Sequence, residues 1–462
     1  MTETELTNIL LKSPAEVVKL LSISSYNLPT WVELEKQYNP LKHKIWDKVV
    51  YPDKEAGSPQ DSFKRTSLGL QKLAVDRLSQ SMFATSVVRD YTYEEEKEKE
   101  QIAVDILEEL YRTHNYIDSS NIERAKMVNA SCQMATVWGT SLKDTYIGDS
   151  ISKFKLFHRN YSPKDGYTLY PILDGFGELL VLSIAYKVGT VTYMDVFTNT
   201  TPAMHIQYKN DKEWAVNAEA SNYKLEVFPV VYTYIEDAVW GGLAGTNLVE
   251  QLEEMESYEG QYIKDNAAPV FTIDYGEVEP GSVIEKNIVS DAKDSRRLFF
   301  VGKGGSVQEV SWAGASEAID NRYQRVRNAF FEQIQLPDTS FANMIRANTS
   351  AENKELIFAD AKQKAKDLGG EWEQLFYDEL NIVKAFAKVM FPQYATEFDN
   401  ISVRSTIQPY AVRTKMENAE YIATGGAAMS RATQVRVLGE VGDVAQEVKR
   451  IEDEEGATAN QL

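Results

Sequence analysis

The chain has 462 residues, 43% of them hydrophobic, enough for two or three domains or for one elongated subunit built of several parts. Its 69 acidic against 49 basic residues leave a net charge of -20, which excludes tight phosphate binding by the chain as a whole, since lysine and arginine supply most affinity for nucleic acid. A single cysteine, Cys132, excludes an internal disulfide and fits a reducing compartment; Val128, Met134 and Ala135 around it mark a small buried side chain rather than a reactive thiol.

The N-terminal stretch Met1 to Leu21 carries Glu3, Glu5 and Glu16 where a secretory signal needs a basic start and an unbroken apolar run. Nowhere do about eighteen apolar residues run together, so no membrane span is expected. The first 150 residues are predicted to be mostly helical. Leu68, Leu70, Leu73, Ala74, Leu78 and Met82 recur at helical spacing, as do Ile102, Ile106 and Leu110. The charged run Glu94 to Glu100 between them reads as a solvated helix face.

From Lys153 to Ile235 the pattern changes to short runs rich in Tyr, Val, Leu and Thr: Leu179 to Val188, Val191 to Phe197, and Tyr223 to Tyr234. Gly175, Gly177, Asn199 and Asn210-Asp211 fall where turns are needed. This predicts a meandering antiparallel sheet packed on the preceding helices, so the fold class is α+β.

After Gly241-Gly242 a helix is predicted over Thr246 to Ala268, broken at Pro269. A β-rich insert follows, with turns at Glu279-Pro280-Gly281 and Gly304-Gly305, and a second helix runs from Ala315 to Leu336. Pro337-Asp338 stops it, and an irregular stretch reaches Asn348. Thr349 and Glu352 form a capping-box signature for a helix to Met390, which at 1.5 Å per residue would be roughly 60 Å long and must cross between parts. One strand, Ile401 to Ile407, and helices within Met416 to Glu455 complete the pattern, with small polar residues from Gly456 to Leu462 expected to be disordered.

The two helices around the insert are of similar length, so they are expected to lie side by side with the insert at one end. Glu250, Glu253, Glu254, Ser257, Gln261 and Asp265 fall on one side of the first, and Leu248, Leu252, Met255, Tyr262 and Ile263 on the other. In a lone monomer the acidic side is a solvated face. If copies close into a ring, it can line a central hole along which DNA slides instead of binding. The second helix carries an apolar stripe of Ala315, Ile319, Tyr323, Val326, Phe330 and Ile334, with Arg322 and Arg325 away from it.

From about Phe228 onward this order of features resembles the portal proteins of tailed bacteriophages. Phe228-Pro229-Val230-Val231, Gly241-Gly242 and Asn247 to Tyr258 are similar to the family's strand and first long helix; Leu298 to Val301, Gly304-Gly305 and Val310 to Trp312 resemble its returning hairpin, and Ile334 to Asp338 its second helix end. Ala423 to Gly426, Ser430 to Thr433, Leu438-Gly439, Val441 to Asp443, Glu447 and Ile451-Glu452 resemble its closing helices. One departure is Thr349 to Asn353, where the family often has Ser-Gly-x-Ala-Leu.

The resemblance implies a homo-oligomer, usually a dodecamer, with a wing (1–245, with a strand return at 392–415) and two stem helices (246–268 and 315–336). It further implies a clip (269–314), a tunnel loop (337–349), a long wing helix (350–391) and a crown (416–462). The implied function is a channel at one capsid vertex for packaging and ejecting double-stranded DNA, in a virion assembled in the host cytoplasm. The implied partners are the terminase large subunit, a head-tail adaptor, and the major capsid and scaffolding proteins; no membrane is involved. On this reading Glu250, Glu253, Glu254, Gln261, Asp265, Arg322 and Arg325 line the channel. Asn343, Arg346, Asn348 and Thr349 touch DNA from the tunnel loop, and Lys293, Arg296 and Arg297 are clip contacts.

No catalytic or metal-binding motif competes with this. His43, His114, His158 and His205 lack partners at ligand spacing, Gly302 to Ser306 lacks the spacing of a phosphate loop, and Asp378-Glu379 reads as a solvated pair on a helix. No cofactor and no enzymatic activity are expected. The rival readings are another ring component of the virion, such as an adaptor, and an enzyme whose site assembles from scattered residues.

Overall fold

The computed structural model describes residues 1–53, 63–93, 97–200, 203–217, 227–266, 271–274, 298–301, 313–338, 358–409, 415–425, 429–438, 447–448 and 450–451. Three short helices open the chain: α1 (Glu3–Leu10), α2 (Pro14–Leu21) and α3 (Trp31–Tyr38). Each begins with the same device. Glu5, Glu16 and Glu33 reach back to accept from the backbone N–H groups of Thr2, Ser13 and Thr30, closing each first turn.

Then come α4 (Leu70–Phe83), the strand β1 (Val88–Thr92), α5 (Glu98–Glu108) with a π-helical turn at Glu109–Thr113, and α6 (Ile117–Ser131). The last of these ends at Cys132, in left-handed backbone at φ 64°, whose N–H closes on the Val128 carbonyl. Its thiol is buried, as its neighbours predict, and burial followed by the charge of Asp237 pushes it up to about 12, which leaves it unreactive at neutral pH.

Eight strands follow: β2 (Gln133–Ile147), β3 (Ser150–Tyr161), β4 (Thr168–Leu173), β5 (Leu179–Val188), β6 (Val191–Thr198), β7 (Met204–Asn210), β8 (Trp214–Val216) and β9 (Val230–Tyr234). They form two antiparallel sheets, β3-β2-β9 and the meander β4-β5-β6-β7-β8. The meander matches the β-rich runs and the turn residues between them read from the sequence. Val181, Met194 and Val196 face Leu6, Val17 and Leu21 of the first two helices, while Leu182, Ile184 and Phe197 on the other face meet Ala135, Val137 and Val230 of the smaller sheet.

The strand β2 corrects the expectation that the first 150 residues are mostly helical. Met134 to Gly139 is buried without interruption, so no two-residue alternation marks it as a strand.

The second half contains α7 (Gly242–Asn266), β10 (Phe271–Asp274), β11 (Leu298–Val301), α8 (Ala313–Gln333), α9 (Ala359–Met390), α10 (Ala395–Asn400), β12 (Ser402–Thr406), α11 (Lys415–Gly425) and α12 (Arg431–Leu438). As predicted, α7 and α8 pack on each other. Between them, β10 and β11 pair in parallel, Phe271 opposite Leu298. The strand β12 returns to pair antiparallel with β1, joining two parts of the chain more than three hundred positions apart.

The helix α9 has 32 described residues, or about 48 Å at 1.5 Å per residue. The Thr349 and Glu352 signature lies outside the described residues. Trp372, Leu375, Phe376, Leu380, Val383 and Phe386 form its buried stripe, which packs into a core shared with Leu78, Leu107 and Trp138. Leu252 of α7 and Phe330, Phe331 and Ile334 at the end of α8 join the same core, so the helix pair is rooted in the body. Each such fully buried apolar side chain contributes about 1.5–3 kcal/mol.

The turn into α7 depends on glycine. Gly241 and Gly242 have φ of 77° and 55°, where a side chain is strained, and a Cβ on Gly245 would lie 1.6 Å from the Trp240 carbonyl oxygen.

Candidate functional site

Three polar clusters concern the residues singled out by sequence. The first runs along the acidic side of α7, where residues 43–53 and 63–68 of the same chain lie against it. Glu253 is 1% exposed, and its Oε1 accepts from His43 Nδ1 at 2.6 Å and from the Leu68 N–H at 2.7 Å. The other ring nitrogen of His43 faces the Gln37 carbonyl at 2.8 Å, so both ring nitrogens have a partner. Glu254 accepts from the Tyr51 hydroxyl, Ser257 Oγ from the Thr66 N–H at 2.9 Å, and Gln261 Oε1 from the Lys64 N–H at 3.1 Å. Glu250 pairs with Lys44 at 3.4 Å.

This corrects the expectation that Glu253 faces a channel: its carboxylate is sealed beneath the chain's own N-terminal part, more than two hundred positions away in sequence. Glu250, Glu254 and Gln261 remain half-buried, and each already bonds to the same covering segment. Asp265 belongs to α7, but its side chain lies outside the described residues.

On α8, Arg322 and Arg325 are exposed, and Arg322 donates to Gln251 Oε1 of α7 at 3.3 Å. Below them the second cluster ties the end of the helix pair to the body. Asp338 is held by Arg327 at 2.7 Å and lies 3.6 Å from Arg77 of α4, which also donates to the Pro337 carbonyl at 2.8 Å. Both guanidinium groups lie over the Phe331 ring, at 5.0 Å for Arg77 and 5.6 Å for Arg327. The hydrogen bond to Asp338 raises the Arg327 pKa, whereas burial lowers that of Arg77.

The third cluster is the polar centre of the body. Glu379 of α9, fully buried, takes a two-point ion pair from Arg124 of α6, a hydrogen bond from the Tyr111 hydroxyl at 2.6 Å and one from Trp138 Nε1 at 2.8 Å. Burial alone would raise its carboxyl pKa; the charge and hydrogen bonds of Arg124 and the bond from Tyr111 outweigh that and lower it. His158, beside Trp138, contacts Ser120 Oγ at 3.0 Å and Asn115 Oδ1 at 3.3 Å, and burial followed by the charge of Arg124 brings its pKa down to about 4. Thus Glu379, expected to be solvated, is an interior residue, while its neighbour Asp378 is exposed.

Asn343, Arg346, Asn348, Thr349, Lys293, Arg296 and Arg297 lie outside the described residues. Among the described residues no group of three or more His, Cys, Asp or Glu is arranged to hold a metal ion, and no helix is long and apolar enough to cross a membrane.

Each of the three clusters fastens together elements far apart in the chain. The family is given by sequence: the profile of the phage portal proteins, SPP1 Gp6-like, matches residues 19–461, and the chain belongs to that family. No curated protein matches it. Among solved structures, a chain from the virion of a native gene transfer agent particle is similar over 92% of this chain and 98% of its own, at 12% identity and a TM-score of 0.35. A chain from the neck of an empty gene transfer agent particle is similar over 87% and 94%, at 10% identity and a TM-score of 0.32.

Proposed function

We propose that copies of this chain close into a dodecameric ring at one capsid vertex, forming the channel through which double-stranded DNA is packaged and ejected. The observation that carries this reading is the family match across nearly the whole chain. In this ring 1–245 and 392–415 form the wing, α7 and α8 (within 246–268 and 315–336) the stem, 269–314 the clip, 337–349 the tunnel loop, 350–391 the long wing helix, and 416–462 the crown. The rooting of α7 and α8 in the main core supports a stem that transmits load to the wing.

The channel wall is reassigned in part. With Glu253 sealed, Arg322, Arg325 and Asp265 remain as channel-facing side chains of the stem, together with whatever parts of Glu250, Glu254 and Gln261 the N-terminal covering leaves open. A chain with net charge -20 still repels DNA overall, so a few exposed arginines give light contacts that a sliding duplex can break. Docking of terminase, and later of a head-tail adaptor, falls to the clip, with Lys293, Arg296 and Arg297 as its basic contacts. The protein acts as a structural component of the virion, with no membrane involved.

Negative-stain imaging of the purified chain tests the assembly. The expected result is a propeller-shaped ring with a central hole. Monomers at every protein concentration would overturn the proposal.

A further inference from the structure

A groove of about 1450 Å³ runs along the outer face of α9, bounded by β9, by β12 and by the turn between β4 and β5. Its walls carry large apolar side chains that face solvent, Tyr377 and Val389 on α9 being 54% and 59% exposed. The groove is also acidic. Glu371, Asp378 and Glu178 line it, while its two lysines are occupied, Lys388 by Asp399 and Lys384 by the Ile401 carbonyl. Burial, and then the charge of Glu178, hold the Asp378 carboxyl above the usual range against a hydrogen bond from Gln374. A cation brought here would relieve that repulsion.

The same chain carries a surface of opposite character. Beyond Val137, the last residue of β2 that pairs with β9, β2 and β3 continue as a two-stranded ribbon. Tyr146 and Ile151 lie opposite each other near its tip and are 63% and 62% exposed. Lys153, Lys155 and Phe157 continue on the same face of β3, because alternate residues of a strand share a face. The ribbon face is therefore apolar and basic where the groove is apolar and acidic.

The two surfaces cannot meet within one molecule. The root of the ribbon pairs with β9, which lines the groove, and the tip lies ten residues farther along β2, about 33 Å at strand spacing. Two different, complementary patches on one chain are what a head-to-tail contact requires, and repetition of such a contact closes a ring. We propose that the β2–β3 ribbon of one copy docks in the groove beside α9 of the next, through Lys153 and Lys155 against Glu371 and Asp378 and through Tyr146 and Ile151 against Tyr377. This rests on the ring reading above and adds where neighbouring subunits hold each other.

The test uses the full chain and two variants, Lys153→Glu with Lys155→Glu on the ribbon and Glu371→Lys with Asp378→Lys in the groove. All are followed by light scattering after size exclusion and by negative-stain imaging, with circular dichroism to verify folding. At a concentration where the unmodified chain is assembled, each variant alone should show at least a tenfold smaller ring fraction. Mixed together, they should form rings of alternating copies, because the basic ribbon of the groove variant fits the acidic groove of the ribbon variant and the acidic ribbon of the ribbon variant fits the basic groove of the groove variant. A chain carrying all four substitutions should regain rings, because the charges are then exchanged and still complementary. Rings at the unmodified level in either variant, or no recovery in a folded fourfold variant, would overturn the ribbon contact. An unmodified chain that stays monomeric would instead overturn the ring reading beneath it.

Discussion

Arg124 and Glu379, 255 positions apart in the chain, form an ion pair from which solvent is fully excluded. Neither charge has an alternative partner of opposite sign in the cluster, since the other contacts of Glu379 are Tyr111 and Trp138 and those of Arg124 are Asn121 and Asn160. Glu379→Ala therefore strands a buried guanidinium and should reduce stability by about 3–5 kcal/mol. Glu379→Gln, which keeps the shape and an acceptor, should lose less. Urea unfolding followed by tryptophan fluorescence measures both, and an unchanged midpoint for the alanine variant would remove this pair from the list of fold determinants.

The His158 ring gives the body an acid sensitivity with a defined window. Its pKa is brought down to about 4 in the fold, below the ordinary value near 6.5. The unfolded chain thus binds a proton first, so the stabilisation is complete above about pH 6.5 and is lost as pH falls toward 4, by about 3 kcal/mol in all. Glu379, whose pKa is lowered, adds a second loss that begins as pH falls into the ordinary carboxylate range and continues below it. His158→Gln should flatten the upper part of the profile and leave the lower part. Denaturant midpoints measured between pH 7 and about pH 3 check this.

The covering of α7 by the N-terminal part can be loosened at Glu253. Glu253→Ala removes the acceptor for His43 and for the Leu68 N–H and should reduce stability by about 1–3 kcal/mol. The clearer sign is local: trypsin should cut faster at Lys64 and Arg65, which the covering now holds against the helix. Glu250→Gln, at the half-exposed Lys44 pair, serves as the comparison and should change stability by less than about 1 kcal/mol. Equal trypsin rates in the two variants would show that Glu253 is not the fastening.

Gly245→Ala tests the turn into α7. The added Cβ would collide with the Trp240 carbonyl, whose indole is buried and donates to Gln37 Oε1. Relief requires moving either the helix start or the Trp240 backbone, so a loss above about 3 kcal/mol is expected, seen as a lower Tm and poor soluble yield. A normal Tm would mean that the turn is softer than its contacts indicate.

The features legible in the sequence were those set by local periodicity. The meander declared itself by short β-branched and aromatic runs set between turn residues, and the helix pair by its stripes; Phe330 and Ile334 are buried where the stripe put them. Gly241 and Gly242 mark a turn that their positive φ confirms. Residues whose surroundings come from far along the chain were misread. Glu253 looks like one more acid on a wet face, and only the arrival of His43 and Leu68 buries it.

Glu379 did carry a local signal: it falls on the stripe of Trp372, Phe376, Val383 and Phe386, and a lone carboxylate on an apolar stripe asks for a buried cation. The capping boxes at Thr2, Ser13 and Thr30 were equally legible, being the same pattern read at Thr349.

The fastening of Asp338 to arginines on two different helices has a counterpart close by, since Lys364, one turn into α9, donates to the Ile334 carbonyl at 2.7 Å. The chain on either side of 339–357 is thereby tethered to the same spot, independently of what lies between. Lengthening a connection whose ends are already fixed changes its closure entropy by only about 0.6 kcal/mol per doubling. Insertions there should consequently be tolerated by the body, making this stretch a natural place for related viruses to vary, and for an experimenter to graft a reporter peptide, without rebuilding the framework that carries it.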